Sequence, residues 1–149
     1  MGELVREIVI DASPETIWPF LTEPGRIVEW HGTVAELDPR PGGIYRVLVA
    51  GSSQSAGRYV EVVPPEKVVF TFGWEVEEHQ IPPGSTTVEI TLHREGDKTR
   101  VRLVHRGLPD DAIADHEHGW AHYLGRLAVA ATGGDAGPDE PPPGGNATA

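Results

Sequence analysis

Histidines and carboxylates supply the candidate chemistry of this 149-residue chain. An imidazole titrates near neutrality, so a histidine among apolar neighbours can orient a polar ligand atom or pass a proton. His105 ends the alternating run Val101, Leu103, His105. It reads either as a polar group inside an internal space or as a hydrogen-bonded structural histidine at its edge. His31 follows Trp30 in a loop, at the mouth of such a space or in solvent. His118 and His122 are four apart, and Asp115 extends the same helical face by one turn. That is the residue set of an Asp/His/His metal site. The segment is not H-E-x-x-H, because Trp120 stands at the second histidine position. The stripe is nearly opposite Trp120 and is predicted to face water, so no metal is assigned. His116 and Glu117 lie nearer the apolar stripe, and Glu117 is the best carboxylate candidate at a cavity rim. No Gly-rich phosphate loop, nucleophile elbow or Ser/His/Asp order occurs. No catalytic residue and no cofactor is assigned.

These groups need elements to position them. A strand is predicted over 3–11, with Leu4, Ile8 and Ile10 on one face. Ser13 is a helix N-cap, Pro14 fits the first helical position, and Glu15 suits the positive helix end. Pro19 lacks the N–H for an internal bond and is predicted to kink or end that short helix, whose apolar face is Ile17, Phe20 and Leu21. A second short helix is predicted over 24–30. Turn signals then separate strands near 33–38, 43–50, 56–63, 67–75, 85–94 and 99–107. Val68, Phe70, Phe72 and Trp74 alternate onto one face. Folding the hairpin at Glu95–Lys98 sets Leu92 near Val101, Ile90 near Leu103 and Val88 near His105. Arg100, Arg102 and Arg106 form a basic stripe on the opposite face, with Glu89 on the neighbouring strand. Cross-strand charge pairing is the favoured reading of that stripe, and a partner-binding surface the other.

A long helix is predicted over about 110–131, capped by Asp110 or Asp111. Ile113, Trp120, Leu124, Leu127, Ala128 and Ala131 recur at helical spacing as one buried stripe. The order of elements is α+β, with helices on one side of an antiparallel sheet. A sheet curved around one long helix leaves a space between them, and the aromatic residues facing it are walls for an apolar ligand.

Composition narrows the choice of function. Lys and Arg total 12 against 23 Asp and Glu, a formal charge of −11, which argues against a nucleic-acid binder. No run of about 18 apolar residues exists to span a membrane. No signal peptide is apparent at the start, and a cytoplasmic address is the default expectation. The absence of Cys excludes disulfides, thiolate metal sites and a Cys nucleophile. Residues 133–149 hold nine Gly or Pro and three acids, with no apolar side chain larger than Ala. They are predicted to be a disordered tail after a domain of residues 1–132.

Several segments in order resemble the START-like, or SRPBCC, superfamily. They are SPETIWPFLTEPG, EWHG, RPGG, GRYVEVVPPEKVVFTFGW, TTVEITLHREGDKTRVRLVHRGL and HEHGWAHYLGRLA. Within it they look most like the branch homologous to the C-terminal domain of the heat-shock-protein-90 ATPase activator. The resemblance covers about 1–132. It implies a helix-grip fold, a curved antiparallel sheet wrapped on a C-terminal helix with two short helices after the first strand. It also implies an internal cavity suited to hydrophobic small molecules. The expected walls are Trp30, Tyr45, Tyr59, Phe70, Phe72, Trp74 and Trp120, with His31, His105 and Glu117 as polar groups. The first functional reading is a module that binds a hydrophobic or aromatic small molecule. A chaperone-regulating interaction domain is the second, and a cyclase or aromatase using the same cavity the third.

Overall fold

The computed structural model describes residues 2–49, 53–75, 81–137 and 139. The first strand, β1 (Gly2–Ile10), leads into three one-turn helices, α1 (Pro14–Ile17), α2 (Pro19–Thr22) and α3 (Pro24–Ile27). Six strands follow: β2 (Val34–Leu37), β3 (Ile44–Val49), β4 (Ser53–Val63), β5 (Lys67–Trp74), β6 (Thr86–Glu95) and β7 (Lys98–Leu108). A 3-10 turn at Asp110–Ala112 opens the long helix α4 (Ile113–Ala131). All seven strands form one curved antiparallel sheet in the order β1-β7-β6-β5-β4-β3-β2. This is the expected helix-grip architecture, with α4 laid against the sheet's inner face.

Proline placement explains the broken helical start. Pro14, Pro19 and Pro24 each occupy the first turn of a helix, five residues apart. Each is pre-set for a helix beginning and cannot continue the helix before it. The Ser13 hydroxyl accepts from the Thr16 amide at 3.1 Å, the expected cap. Where two short helices were expected there are three. The first divides at Trp18, which closes α1 and opens α2. The chain then delivers Trp30 and His31 to the inner face of the sheet, both buried.

The β6–β7 hairpin has the predicted register: Leu92 faces Val101, Ile90 faces Leu103, and Val88 faces His105. On the outer face the arginines of β7 are paired. Arg100 meets Glu95 and Glu7, Arg102 meets Glu7, and Arg106 meets Glu3 and Glu89. Such exposed pairs contribute little each, but they leave the stripe electrically matched.

Two boundaries differ from expectation. Neither Asp110 nor Asp111 caps α4; Ala112 stands at its N-cap with no side-chain bond. The preceding 3-10 turn does that work, because the Ala112 amide donates to the Pro109 carbonyl at 2.9 Å. Part of the stretch expected to be tail, 133–137 and 139, is described and packs on the fold. Arg126 donates to the Ala136 and Gly137 carbonyls at 2.9 and 3.0 Å, and the Gly32 amide donates to Asp139 at 2.8 Å. Composition alone predicted too little burial to order this stretch, but it carries acceptors that a buried arginine and a free amide need. The remainder of the expected tail, 138 and 140–149, lies outside the described residues.

Candidate functional site

The interior between sheet and α4 carries a cluster of rings within an otherwise aliphatic core. Strand alternation turns Phe70, Phe72 and Trp74 of β5 inward. Tyr45 of β3 stacks on Phe70 with centroids 4.0 Å apart, and Tyr59 of β4 meets Tyr45 edge-on at 5.8 Å. The Tyr59 hydroxyl donates to the Leu21 carbonyl and the Trp30 indole to that of Phe20. From α4, helical spacing brings His116, Trp120 and Tyr123 to the same side.

Packing this dense leaves little room. Among the described residues, two spaces of about 10 Å³ each lie beside Trp120, roughly one water apiece. One lies among His31, Phe72, Trp74, His116 and Tyr123. The other lies among Leu21, Ile27, Trp30, Tyr45, Phe70 and Ile90. Trp120 borders both. The expectation of an open space between sheet and helix is therefore corrected: in this structure its own walls fill it.

His105 is fully buried and both its nitrogens are engaged. The Trp120 indole donates to Nδ1 at 3.0 Å. Nε2 must then carry the proton and donate to Thr86 Oγ1 at 2.7 Å, while that hydroxyl donates to the Phe72 carbonyl at 2.7 Å. Burial, with His116 adding to it, pushes the His105 pKa down to about 3, so the ring is neutral at pH 7. The geometry is that of a structural histidine, the second of its two sequence readings. His116 is its neighbour, with ring centroids 5.6 Å apart. It accepts from the Trp74 indole at 3.2 Å and donates from Nδ1 to the Ala112 carbonyl at 2.9 Å.

His31 is equally buried but differently placed. Its ring packs on Trp30, Trp120 and Tyr123, with centroids 5.2, 5.4 and 4.6 Å away. Its Nδ1 has no hydrogen-bond partner among the described residues. Burial lowers its pKa to about 4; the Asp139 carboxylate opposes that shift and the Arg126 guanidinium reinforces it. Asp139 also helps burial raise the pKa of the Tyr123 phenol.

Nine of the ten expected site residues thus converge on one aromatic interior. Glu117 does not: it is exposed on α4, one residue past the inward-facing His116. The helical turn of 100° per residue carries it off the apolar face. His118 is exposed as well, and His122 is half-buried with its ring 5.0 Å from that of Tyr123. No group of three or more His, Asp or Glu arranged to hold a metal occurs among the described residues. Tyr123 and Arg126 were missed; Tyr123 falls beside the stripe through Trp120, and Arg126 lies about 120° round the helix from it. Gly32 and Asp139 had no sequence signal, since the contact between them spans 107 positions.

Comparison with known proteins follows the same lines. The family model described as Activator of Hsp90 ATPase homolog 1-like protein matches residues 11–132. The chain is 42% identical to an AHSA1-like protein from Rhizobium etli solved by NMR, covering 93% of this chain and 86% of that one with a TM-score of 0.71. The Aha1 dimer from Colwellia psychrerythraea shares 23% identity over 90% of this chain and 98% of that one, with a TM-score of 0.77. An HSP90 activator from Plasmodium falciparum shares 19% identity over 87% and 95%, with a TM-score of 0.71. At those last two identities the likeness is one of fold. No curated protein matches the chain in sequence.

Proposed function

The chain belongs to the activator of Hsp90 ATPase homolog 1-like family, and from that premise we propose that it binds a hydrophobic or aromatic small molecule between sheet and α4. The observation that carries this reading is the position of Trp120. Its indole separates two small spaces whose other walls are mostly aromatic. Rotating that ring away merges the two spaces and adds its own volume to them. A ligand ring entering there replaces one aromatic contact with another, and burial of its apolar surface contributes about 25 cal/mol per Å². The closed interior is then the ligand-free arrangement, with Trp120 as the movable wall, and opening it breaks the bond from its indole to His105 Nδ1.

A chaperone-regulating role is the second reading. It is supported by the family and by the likeness to a Plasmodium HSP90 activator. The cyclase or aromatase reading is the weakest. It relied on His105 and Glu117 as a polar pair in the cavity. His105 is saturated and Glu117 faces solvent.

The deciding experiment is an NMR titration of the full chain with naphthalene, following the indole signals. Shifts at Trp120 and Trp74 in the wild type, and a larger shift at Trp74 in Trp120→Ala, are the expected result. Absence of interior shifts in both proteins, with shifts confined to the outer sheet face on adding a chaperone ATPase, would favour the second reading.

A further inference from the structure

The mouth of the interior holds a carboxylate, and the chain itself supplies it. Residues 133–137 and 139 return from the end of α4 to the Trp30–Gly32 loop. Arg126 organises this return: it donates to the Trp30 carbonyl at 2.8 Å and to the carbonyls of Ala136 and Gly137. Asp139 Oδ2 accepts from the Gly32 amide at 2.8 Å. Gly32 has a φ of +82°, and a Cβ there would collide with Val47 and the Leu48 carbonyl. Only glycine therefore sets this amide where a carboxylate can reach it. Just inside lie the Tyr123 hydroxyl and His31, whose buried Nδ1 is unpartnered among the described residues. The Gly32 amide thus holds a single anion that also acts on the Tyr123 phenol and the His31 imidazole, beside a wall of rings.

We propose that this is a carboxylate-recognition site and that Asp139 is its built-in occupant, displaced by an aromatic carboxylate whose ring lies against His31, Tyr123 and Trp120. The inference rests on the small-molecule reading above and adds the head group to it. The competition is intramolecular. A carboxylate tethered by a short segment acts at an effective concentration on the order of millimolar, so Asp139 raises the ligand concentration needed for occupancy. Its removal uncovers the site without altering the rings.

Benzoate and its neutral twin benzamide are suitable probes with the full-length protein. In ligand-free Asp139→Ala the Gly32 amide signal should shift and exchange at least tenfold faster with solvent. Benzoate should bind Asp139→Ala at least tenfold more tightly than wild type, moving the Gly32 and His31 signals, while benzamide affinity stays level. Asp97→Asn, which removes one exposed charge in the β6–β7 turn, should match wild type. An unchanged Gly32 amide in Asp139→Ala would overturn the proposal, as would equal benzoate affinity in the two proteins. Naphthalene, read at Trp120, separates the two ideas. Naphthalene without benzoate binding overturns only the carboxylate site. Benzoate without naphthalene binding overturns only the inner ligand space.

Discussion

Two buried histidines mark two differently built regions of this molecule. His105, under the centre of α4, and His31, at the loop near its end, are 0% and 2% exposed. Burial holds both neutral. Their hydrogen bonding differs. His105 links Trp120 to Thr86 and onward to the backbone, with every donor and acceptor used. His31 makes ring contacts and leaves Nδ1 unpartnered among the described residues. A saturated buried network specifies a position, whereas an unsaturated buried atom is an opening for something else to bind. In the first region His105 and Thr86 are scaffold, and Trp120 is held to them by one bond. The second leaves a buried polar atom unpaired among the described residues.

What the two histidines share should produce the largest effect. Each has a folded pKa below its unfolded value near 6.5, so the unfolded chain takes up protons first as pH falls. The stability they protect is complete above pH 6.5 and is lost progressively toward pH 4 for His31 and pH 3 for His105. Between pH 7 and 5 each should cost about 2 kcal/mol. Urea unfolding across that range measures their loss together with that of His122, whose pKa burial also lowers, and removing either histidine should reduce the loss by about 2 kcal/mol. A loss unchanged in both variants would mean that neither is held neutral.

What they do not share should appear next. His105→Phe keeps a ring but strands the Trp120 indole and the Thr86 hydroxyl, for a loss of about 2–4 kcal/mol at pH 7. His31→Phe exchanges one ring for another at a site whose Nδ1 has no partner to lose. Its cost at pH 7 should stay within about 1 kcal/mol. Equal losses in the two variants, measured by denaturant midpoint, would erase the distinction between scaffold and opening. The smallest effect belongs to the outer face. Arg100→Ala should change stability by no more than about 1 kcal/mol, less still in high salt, because its partners are exposed. A larger loss would give that face a structural weight comparable with the interior.

Much of the scaffold was legible because local rules agreed with the global fold. Ser13 and the three prolines carry their own backbone instructions. Period-two alternation settled which face of β5 and β7 turns inward, and a short turn set their neighbours' register. The mouth was less legible. Tyr123 lies beside the apolar stripe, but Arg126 is well round the helix from it, and the carbonyls that Arg126 binds come from a segment whose composition argued for disorder. Glu117 failed for the opposite reason, since a wide apolar stripe does not reveal which flanking residue rotates out of it.

Periodicity, prolines and turn residues by themselves determined the element order, the inward aromatic faces and the hairpin that aligns Val88 with His105. These are local choices, repeated along a strand or helix. Tertiary structure alone decided how much space survives between the rings, that both nitrogens of His105 are spoken for, and that Asp139 lands on Gly32. Each depends on groups far apart in the chain meeting within a hydrogen bond's length, and no spacing along the sequence encodes that distance.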